Sequence, residues 1–406
     1  MHFPTEHLDP IVIGQRLAEA RKARGVTQQT AAEYLNVSRP TLIAIEKGTR
    51  PAKPDELIKL VGFYGRSLHE IVRPGEQSTP IEPHLRAALN PEAGSAVELN
   101  QAIGELQRFV EDYRQLEQLT GAKQFEHYPP QVSIPQRVEL SEFAEDLAIR
   151  ERSRLHLGDQ PILNLREILE DGAGLRIFYG AIPSTIAGMY AFVPDLGYCI
   201  LINRKHPPER QRWTLTHEYL HFLTERHKPG IDYLAGGERR PLSERCADAF
   251  AASFLMPKTS VRRHFLDVTD STGDFQVADL CRLSNSYFVS VHAMTLRLEG
   301  LGLIKKGTWE LLEEKQFKPD AAKQRLGLAA PPCKPEDPYP ERYKFLAVRA
   351  FCQAKLSEGQ LARFLRCDRV SAREIVAECL NRLDDIDEHG NESPLTLPFE
   401  QSLLEA

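Results

Sequence analysis

The sequence predicts a multidomain protein, mainly α-helical, with one small α+β domain in its middle. Three observations lead there. The chain has 406 residues, and at roughly 100–200 residues per domain that makes two to four folded units. Capped segments with apolar residues at helical spacing recur over most of its length. Only in one place do strand-like runs succeed one another: LRIFYGAI, IAGMYAFVP and GYCILIN, parted by turns holding Pro183 and Asp195–Gly197. Breaks rich in Pro, Gly and Ser suggest boundaries giving residues 1–73, 74–135, 136–310 and 311–406.

Composition narrows the class. Hydrophobic residues make up 42% and charged residues 27%, the balance of an ordinary soluble globular protein. A formal net charge of −6 argues against a chain that binds polyanions along its whole length. No apolar run approaches the ~20 residues needed to span a bilayer. The N-terminus, MHFPTEHLDP, lacks the charged and apolar regions of a signal peptide. The 7 cysteines are odd in number, scattered and without a CxxC pair, which fits a reducing cytosol. The expectation is a cytoplasmic protein without membrane contact.

The charge is uneven. Residues 11–53 carry eight basic residues against three acidic ones. This stretch reads as short helices. Ile13, Leu17 and Ala20 share a face, and Gly25 ends the first helix. Thr27 caps a second, QQTAAEYL, closed by Asn36. Ser38 caps a third, RPTLIAIE, with Pro40 in its first turn. Leu57, Leu60 and Val61 open a fourth, and Leu68 and Ile71 complete the core. Residues 73–95 read as a linker. A helix follows from about Ala96 to Leu119, with Leu99, Ile103, Leu106, Val110 and Tyr113 spaced as a coiled-coil seam. Two uses fit that seam: packing against the chain's own domains, or pairing two copies into a homodimer. Further helices are expected over Leu140–Leu157 and Ile162–Leu169, ahead of the three strands.

One motif carries chemistry: His217-Glu218-Tyr219-Leu220-His221. Histidines at i and i+4 lie on one helical face and can take two corners of a zinc tetrahedron. Glu218 can then take a proton from the attacking water and deliver it to the leaving amine. Glu244 opens the next helix, LSERCADAFAASFLMP, and is the natural third ligand; a solvated capping residue is the alternative. Asp248, one turn on, can accept a hydrogen bond from the outer N–H of His217, or be a surface charge. Cys246 faces away and reads as a small buried residue.

Residues around this motif resemble the ImmA/IrrE-type metallopeptidases. The resemblance runs through INRKHPPERQRWTLTHEYLHFL and ERCADAFAASFLMP, and covers about residues 139–305. Asn203, Arg210, Arg212, Thr214, Leu215, His217, Glu218, His221, Glu244, Ala247, Phe250, Ala251, Met256 and Pro257 match the family's pattern. Trp213, Thr216, Tyr219–Leu220 and Asp248 depart from it without removing a ligand. The resemblance implies a zincin-like domain of gluzincin type, a zinc cofactor, and an endopeptidase that cuts a repressor. It also implies an edge strand pairing with substrate, expected at Gly188–Val193. Arg212, Tyr190 and His292 are candidates for stabilising the oxyanion.

Residues 11–72 resemble XRE-type (Cro/repressor-like) helix-turn-helix domains. That implies a double-stranded DNA operator as partner. In this mode the third helix enters the major groove and the second crosses the backbone. Ser38, Arg39 and Thr41 then face bases, Gln28 reaches phosphate, Gln29 lies near the groove edge, and Lys47 and Arg50 contact phosphates. Residues 341–383 again read as helices with a turn between the last two, suited to an accessory role in assembly or substrate presentation.

Two functions are therefore expected to compete. One is a DNA-binding regulator carrying a zinc endopeptidase. It would cleave a repressor, an antitoxin-like partner or itself in a stress, prophage or defence response. The other is a regulator in which the metallopeptidase fold is a sensor or scaffold without proteolysis.

Overall fold

The structure, a computed structural model, describes residues 9–64, 71–72, 96–122, 128–135, 139–193, 196–227, 230–233, 241–328 and 337–381. Contacts divide the chain into two units, residues 1–79 and 80–406. The linker expected at 73–95, Leu68, and the tail beyond 381 lie outside the described residues. No helix among the described residues is long and apolar enough to cross a membrane.

The first unit holds α1 (Pro10–Ala23), α2 (Gln28–Leu35), α3 (Arg39–Glu46) and α4 (Pro54–Tyr64). Side chains cap the first three. Asp9 accepts from the Ile11 N–H at 2.9 Å, Thr27 from Thr30 at 3.1 Å and Ser38 from Thr41 at 3.3 Å. Each cap satisfies an amide that a helix start leaves without a partner. Asn36, in the left-handed region at φ 58°, closes α2 and turns the chain into α3. Leu17, Leu42 and Leu60 are fully buried at the centre of the core. Glycine is required at 48, where φ is +70° and a Cβ would stand 2.4 Å from the Ile11 Cα.

The second unit is built on a four-stranded sheet. Its helices are α5 (Ala96–Thr120), α6 (Leu140–Arg154), α7 (Leu165–Ala173), α8 (Pro208–Glu225), α9 (Leu242–Leu255), α10 (Lys258–Thr272), α11 (Val277–Ser286), α12 (Val291–Gly300), α13 (Thr308–Glu314), α14 (Pro319–Arg325), α15 (Glu341–Cys352), α16 (Glu358–Phe364) and α17 (Arg369–Asn381). Its strands are β1 (Arg176–Gly180), β2 (Ile186–Val193), β3 (Gly197–Asn203) and β4 (Gly230–Tyr233), in the order β1-β3-β2-β4. β1 runs parallel to β3, and β2 pairs antiparallel with both β3 and β4.

The strand side chains alternate between two cores, as the two-residue period of a strand requires. Ile177, Tyr179, Tyr190 and Ile200 join one core with α6 to α12. Phe178, Met189, Ala191 and Leu201 join another with α5 and α15 to α17. The seam residues Ile103, Leu106, Val110 and Tyr113 are buried in this second core. They pack against the chain's own sheet and C-terminal helices, so a second copy does not meet them. Burying a Leu side chain stabilises by roughly 1.5–3 kcal/mol, which is why the seam turns inward. Charges tie the same layers together. Glu117 of α5 accepts from Arg176 of β1 at 3.2 Å and from Arg342 of α15 at 2.5 Å. The first core runs on past residue 310 to Leu312 and Leu328.

Two helix boundaries differ from the sequence expectation. α6 stops at Arg154, because the chain turns through His156 (φ 56°) and Gly158 (φ 58°). Ile162 and Leu163 do not begin a helix. Their carbonyls accept from the Arg212 guanidinium, so α7 starts later, at Leu165, and ends at Ala173, capped by Gly174. β4 was not foreseen, and it places β2 inside the sheet.

Candidate functional site

α8 lies against one sheet face with its middle turns buried. His217, Glu218 and His221 are 2%, 0% and 3% exposed. Polar side chains reach that depth only with partners. The back of the helix is fastened by Tyr219. Its hydroxyl donates to Glu151 of α6 at 2.5 Å and accepts from Arg154 at 2.7 Å. Arg154 also donates to the Gly172 carbonyl at the end of α7.

The front of α8 faces the first turns of α9. Nε2 of His217 lies 3.1 Å from Glu244 Oε2, and Nε2 of His221 lies 3.3 Å from Glu244 Oε1. The two Nε2 atoms are 3.3 Å apart. Nδ1 of His217 donates to Asp248 at 3.2 Å. That bond assigns the proton to Nδ1 and leaves the Nε2 lone pair aimed at a carboxylate. Lone pairs so arranged repel unless a cation lies among them. Atoms about 2.0–2.2 Å from a tetrahedral zinc are about 3.3–3.6 Å from one another. The two Nε2 atoms and the Glu244 carboxylate, which turns one oxygen to each ring, therefore fit a zinc ion held by His217, His221 and Glu244. These three are the group of potential ligands found among the described residues. Glu225, His227 and His264 are not part of it.

Glu218 lies beside β2. A Cβ at Gly188 would come 3.4 Å from its Oε1 and 2.9 Å from Thr214 Cγ2, so the glycine leaves room for the carboxylate. Tyr190, two residues along β2, stacks on the His221 ring with centroids 5.3 Å apart and planes 14° from parallel. Of the three oxyanion candidates, the structure brings only Tyr190 to the ligands. Arg212 is directed onto the Ile162 and Leu163 carbonyls and over the Phe288 ring. His292 packs on Trp309. The expected edge strand is also corrected. β4 covers β2 with Tyr190 opposite Gly230, Met189 opposite Ile231 and Gly188 opposite Asp232.

In the first unit, Arg39 and Lys47 are exposed at the two ends of α3, and Ser38 and Thr41 share a hydroxyl hydrogen bond of 2.8 Å at its start. Gln29 is exposed and donates to Glu33 at 2.8 Å. Two expected phosphate contacts are engaged internally. The Gln28 amide donates to Glu46 at 2.9 Å, and Arg50 forks onto Glu56 at 2.8 and 3.1 Å. Sequence reasoning missed the reason for the first. Arg21 and Glu46 form a buried bidentate pair at 2.6 and 3.1 Å, and Gln28 completes it. The hydrogen bond to Glu46 outweighs burial and keeps Arg21 more firmly protonated than usual. A signal was present: Glu46 is the single acid on α3 and follows the apolar run Leu42–Ile45.

Comparison with known proteins agrees with this division. Residues 170–299 match the M78 peptidase family, described as the IrrE N-terminal-like domain, and residues 17–71 match a helix-turn-helix family. The chain is 36% identical over 94 residues to the HTH-type transcriptional regulator ImmR of Bacillus subtilis, a match covering 23% of this chain and 67% of that one. Among solved structures, ComR from Streptococcus suis aligns over 92% of this chain and 89% of its own, at 11% identity and a TM-score of 0.15. Bacillus thuringiensis PlcR, in complex with the peptide PapR7 and DNA, aligns over 92% and 96%, at 12% identity and 0.17. Likeness at those scores carries no argument.

Proposed function

The chain belongs to the helix-turn-helix transcriptional regulators and carries an IrrE N-terminal-like domain besides; from that premise we propose that it is an operator-binding regulator whose second unit is a zinc-dependent endopeptidase. Its substrate is a repressor or antitoxin-like protein, or the chain itself, cut in a stress, prophage or defence response. The observation that carries this reading is the convergence of buried His217 and His221 with half-buried Glu244, and fully buried Glu218 next to His217 in sequence. A binding scaffold has use for a metal triad, but it has no use for a buried carboxylate beside it.

His217, His221 and Glu244 would hold zinc, and Asp248 keeps the His217 ring in the tautomer that binds it. Bound there, the ion supplies Lewis acidity toward a peptide carbonyl. Glu218 takes the proton from the attacking water and returns it to the departing amine nitrogen as the C–N bond breaks. Burial of Glu218 keeps bulk water from competing for that proton. In the first unit, Ser38, Arg39 and Thr41 at the start of α3 are placed for base edges, with Gln29 and Lys47 at the flanks. Arg50 reaches phosphate by exchanging Glu56 for it, and Gln28 serves chiefly to orient Glu46.

The discriminating experiment compares wild type with Glu218→Gln on a co-encoded repressor-like protein. The variant should bind zinc and operator like wild type and lose cleavage at least a thousandfold. Equal inertness of the two under inducing conditions would leave the sensor or scaffold reading in its place.

A further inference from the structure

We infer that β4 is the chain's own stand-in for a substrate strand, and that an extended peptide reaches the metal centre by displacing Gly230–Tyr233 from β2. The inference rests on the peptidase reading of the second unit and adds to it how the substrate is presented and what opposes it.

The juxtaposition is one of register. β2 is the strand that touches the centre: Gly188 lies beside Glu218, and Tyr190 stacks on His221. One edge of β2 is filled by β3 over Gly188–Val193. The other edge is where a peptide must lie to meet both the base and the ligands, since neighbouring strands sit about 4.8 Å apart. β4 holds that edge at the positions concerned, with Gly230, Ile231 and Asp232 opposite Tyr190, Met189 and Gly188. Two backbones cannot pair with one edge at the same residues. A peptide that uses β2 as its template therefore takes the place of β4.

The occupant is built to leave. β4 has four residues, and a register irregularity between Ile186 and Gly188 interrupts its pairing. It contributes few backbone hydrogen bonds, each of small net worth because water replaces it on release. Its last pair is at Tyr190, so Ala191–Val193 extend beyond β4 among the described residues. An incoming strand can begin there and advance toward Gly188. The substrate class that follows is an unfolded or extended polypeptide segment. A folded helix offers no free backbone donors to the edge.

The test uses full-length protein in a Glu218→Gln background, so that no probe is consumed. The probe is a fluorescein-labelled synthetic peptide with the sequence of residues 226–238 of this chain, followed by anisotropy. Ile231→Pro removes an amide donor and disfavours pairing. It should bind the probe at least tenfold more tightly than the protein with β4 intact. Backbone amides of Gly188–Tyr190 should exchange faster in Ile231→Pro and regain protection when probe is added. A second variant, with Gly230–Tyr233 replaced by Gly-Ser-Gly-Ser, guards against misfolding by proline and should behave alike, with an unchanged circular dichroism spectrum. Equal binding with and without β4, binding by neither, or unaltered exchange at Gly188–Tyr190 would overturn the inference. Its failure is separable from that of the peptidase reading. Probe binding by the variants, with no hydrolysis when Glu218 is restored, keeps the displaced strand and removes the enzyme. Hydrolysis unaffected by either variant does the reverse.

Discussion

A cluster of ionisable side chains in the first unit and one in the second differ in what completes them. In the first unit Arg21, Glu46 and Gln28 close on themselves. Guanidinium and amide donors meet both carboxylate oxygens within 2.6–3.1 Å. In the second unit the Nε2 atoms of His217 and His221 and the carboxylate of Glu244 converge at 3.1–3.3 Å. The first arrangement is complete within the protein and fixes α1 against α3. On the proposed reading the second is completed by a cation. Burial and ionisable residues are common to both, so neither is diagnostic of function. The sign of the groups that meet is what separates a structural pair from a metal centre.

Breaking the closed cluster should have the largest effect. Arg21→Ala leaves Glu46 buried without its main partner, and such losses cost about 3–5 kcal/mol. The transition of the first unit should fall sharply in calorimetry while zinc content is unchanged. Replacing Arg21 and Glu46 together with Met and Leu should recover most of that stability, because an apolar pair of similar volume can replace a closed ion pair. No apolar replacement of the His217–Glu244 pair can recover metal binding. Loss of zinc on Arg21→Ala would contradict the separation of roles.

A smaller effect is expected one layer behind the metal ligands. Asp248→Ala removes the acceptor that fixes His217 and should weaken zinc affinity by about 10–100-fold. The measurement is competition against a chromogenic chelator. His221 has no such partner: its Nδ1 makes no hydrogen bond among the described residues. An affinity unaffected by Asp248→Ala would place Asp248 as a surface charge.

A dependence on pH distinguishes the second core from both clusters. Burial pushes Tyr113 up to about 12 and Cys199 up to about 12. The unfolded chain releases these protons at lower pH than the folded one, so the folded state holds more protons between about pH 9 and 12. The resulting stability is full below about pH 9 and is lost as pH rises toward 12. Urea unfolding of the second unit across that range should show the decline, and Cys199→Ala should flatten its lower part.

Much of this was legible in the sequence where one local rule suffices. Thr27 and Ser38 announced their helices by cap chemistry, and each accepts the amide expected of it. His217, His221 and Glu244 were legible because helical spacing puts the histidines on one face and no distant information is needed. What escaped depends on long-range pairing. The seam of α5 reads identically whether its partner is a second chain or the chain's own sheet, and Phe178 and Tyr343 decide the matter from far along the sequence. β4 has four residues and no alternating pattern, so only the free edge of β2 selects it as a strand. Gln28 and Arg50 were read as surface donors because Glu46 and Glu56 could not be placed beside them without the fold.

The central claim is that the second cluster is a zinc centre, and metal analysis tests it most directly. Full-length protein purified without added chelator should carry about one zinc per chain by mass spectrometry of the metal, while His217→Ala and Glu244→Ala should each carry far less at an unchanged fold. A zinc content near zero in wild-type protein reconstituted with the ion, or one that neither substitution lowers, would contradict the account.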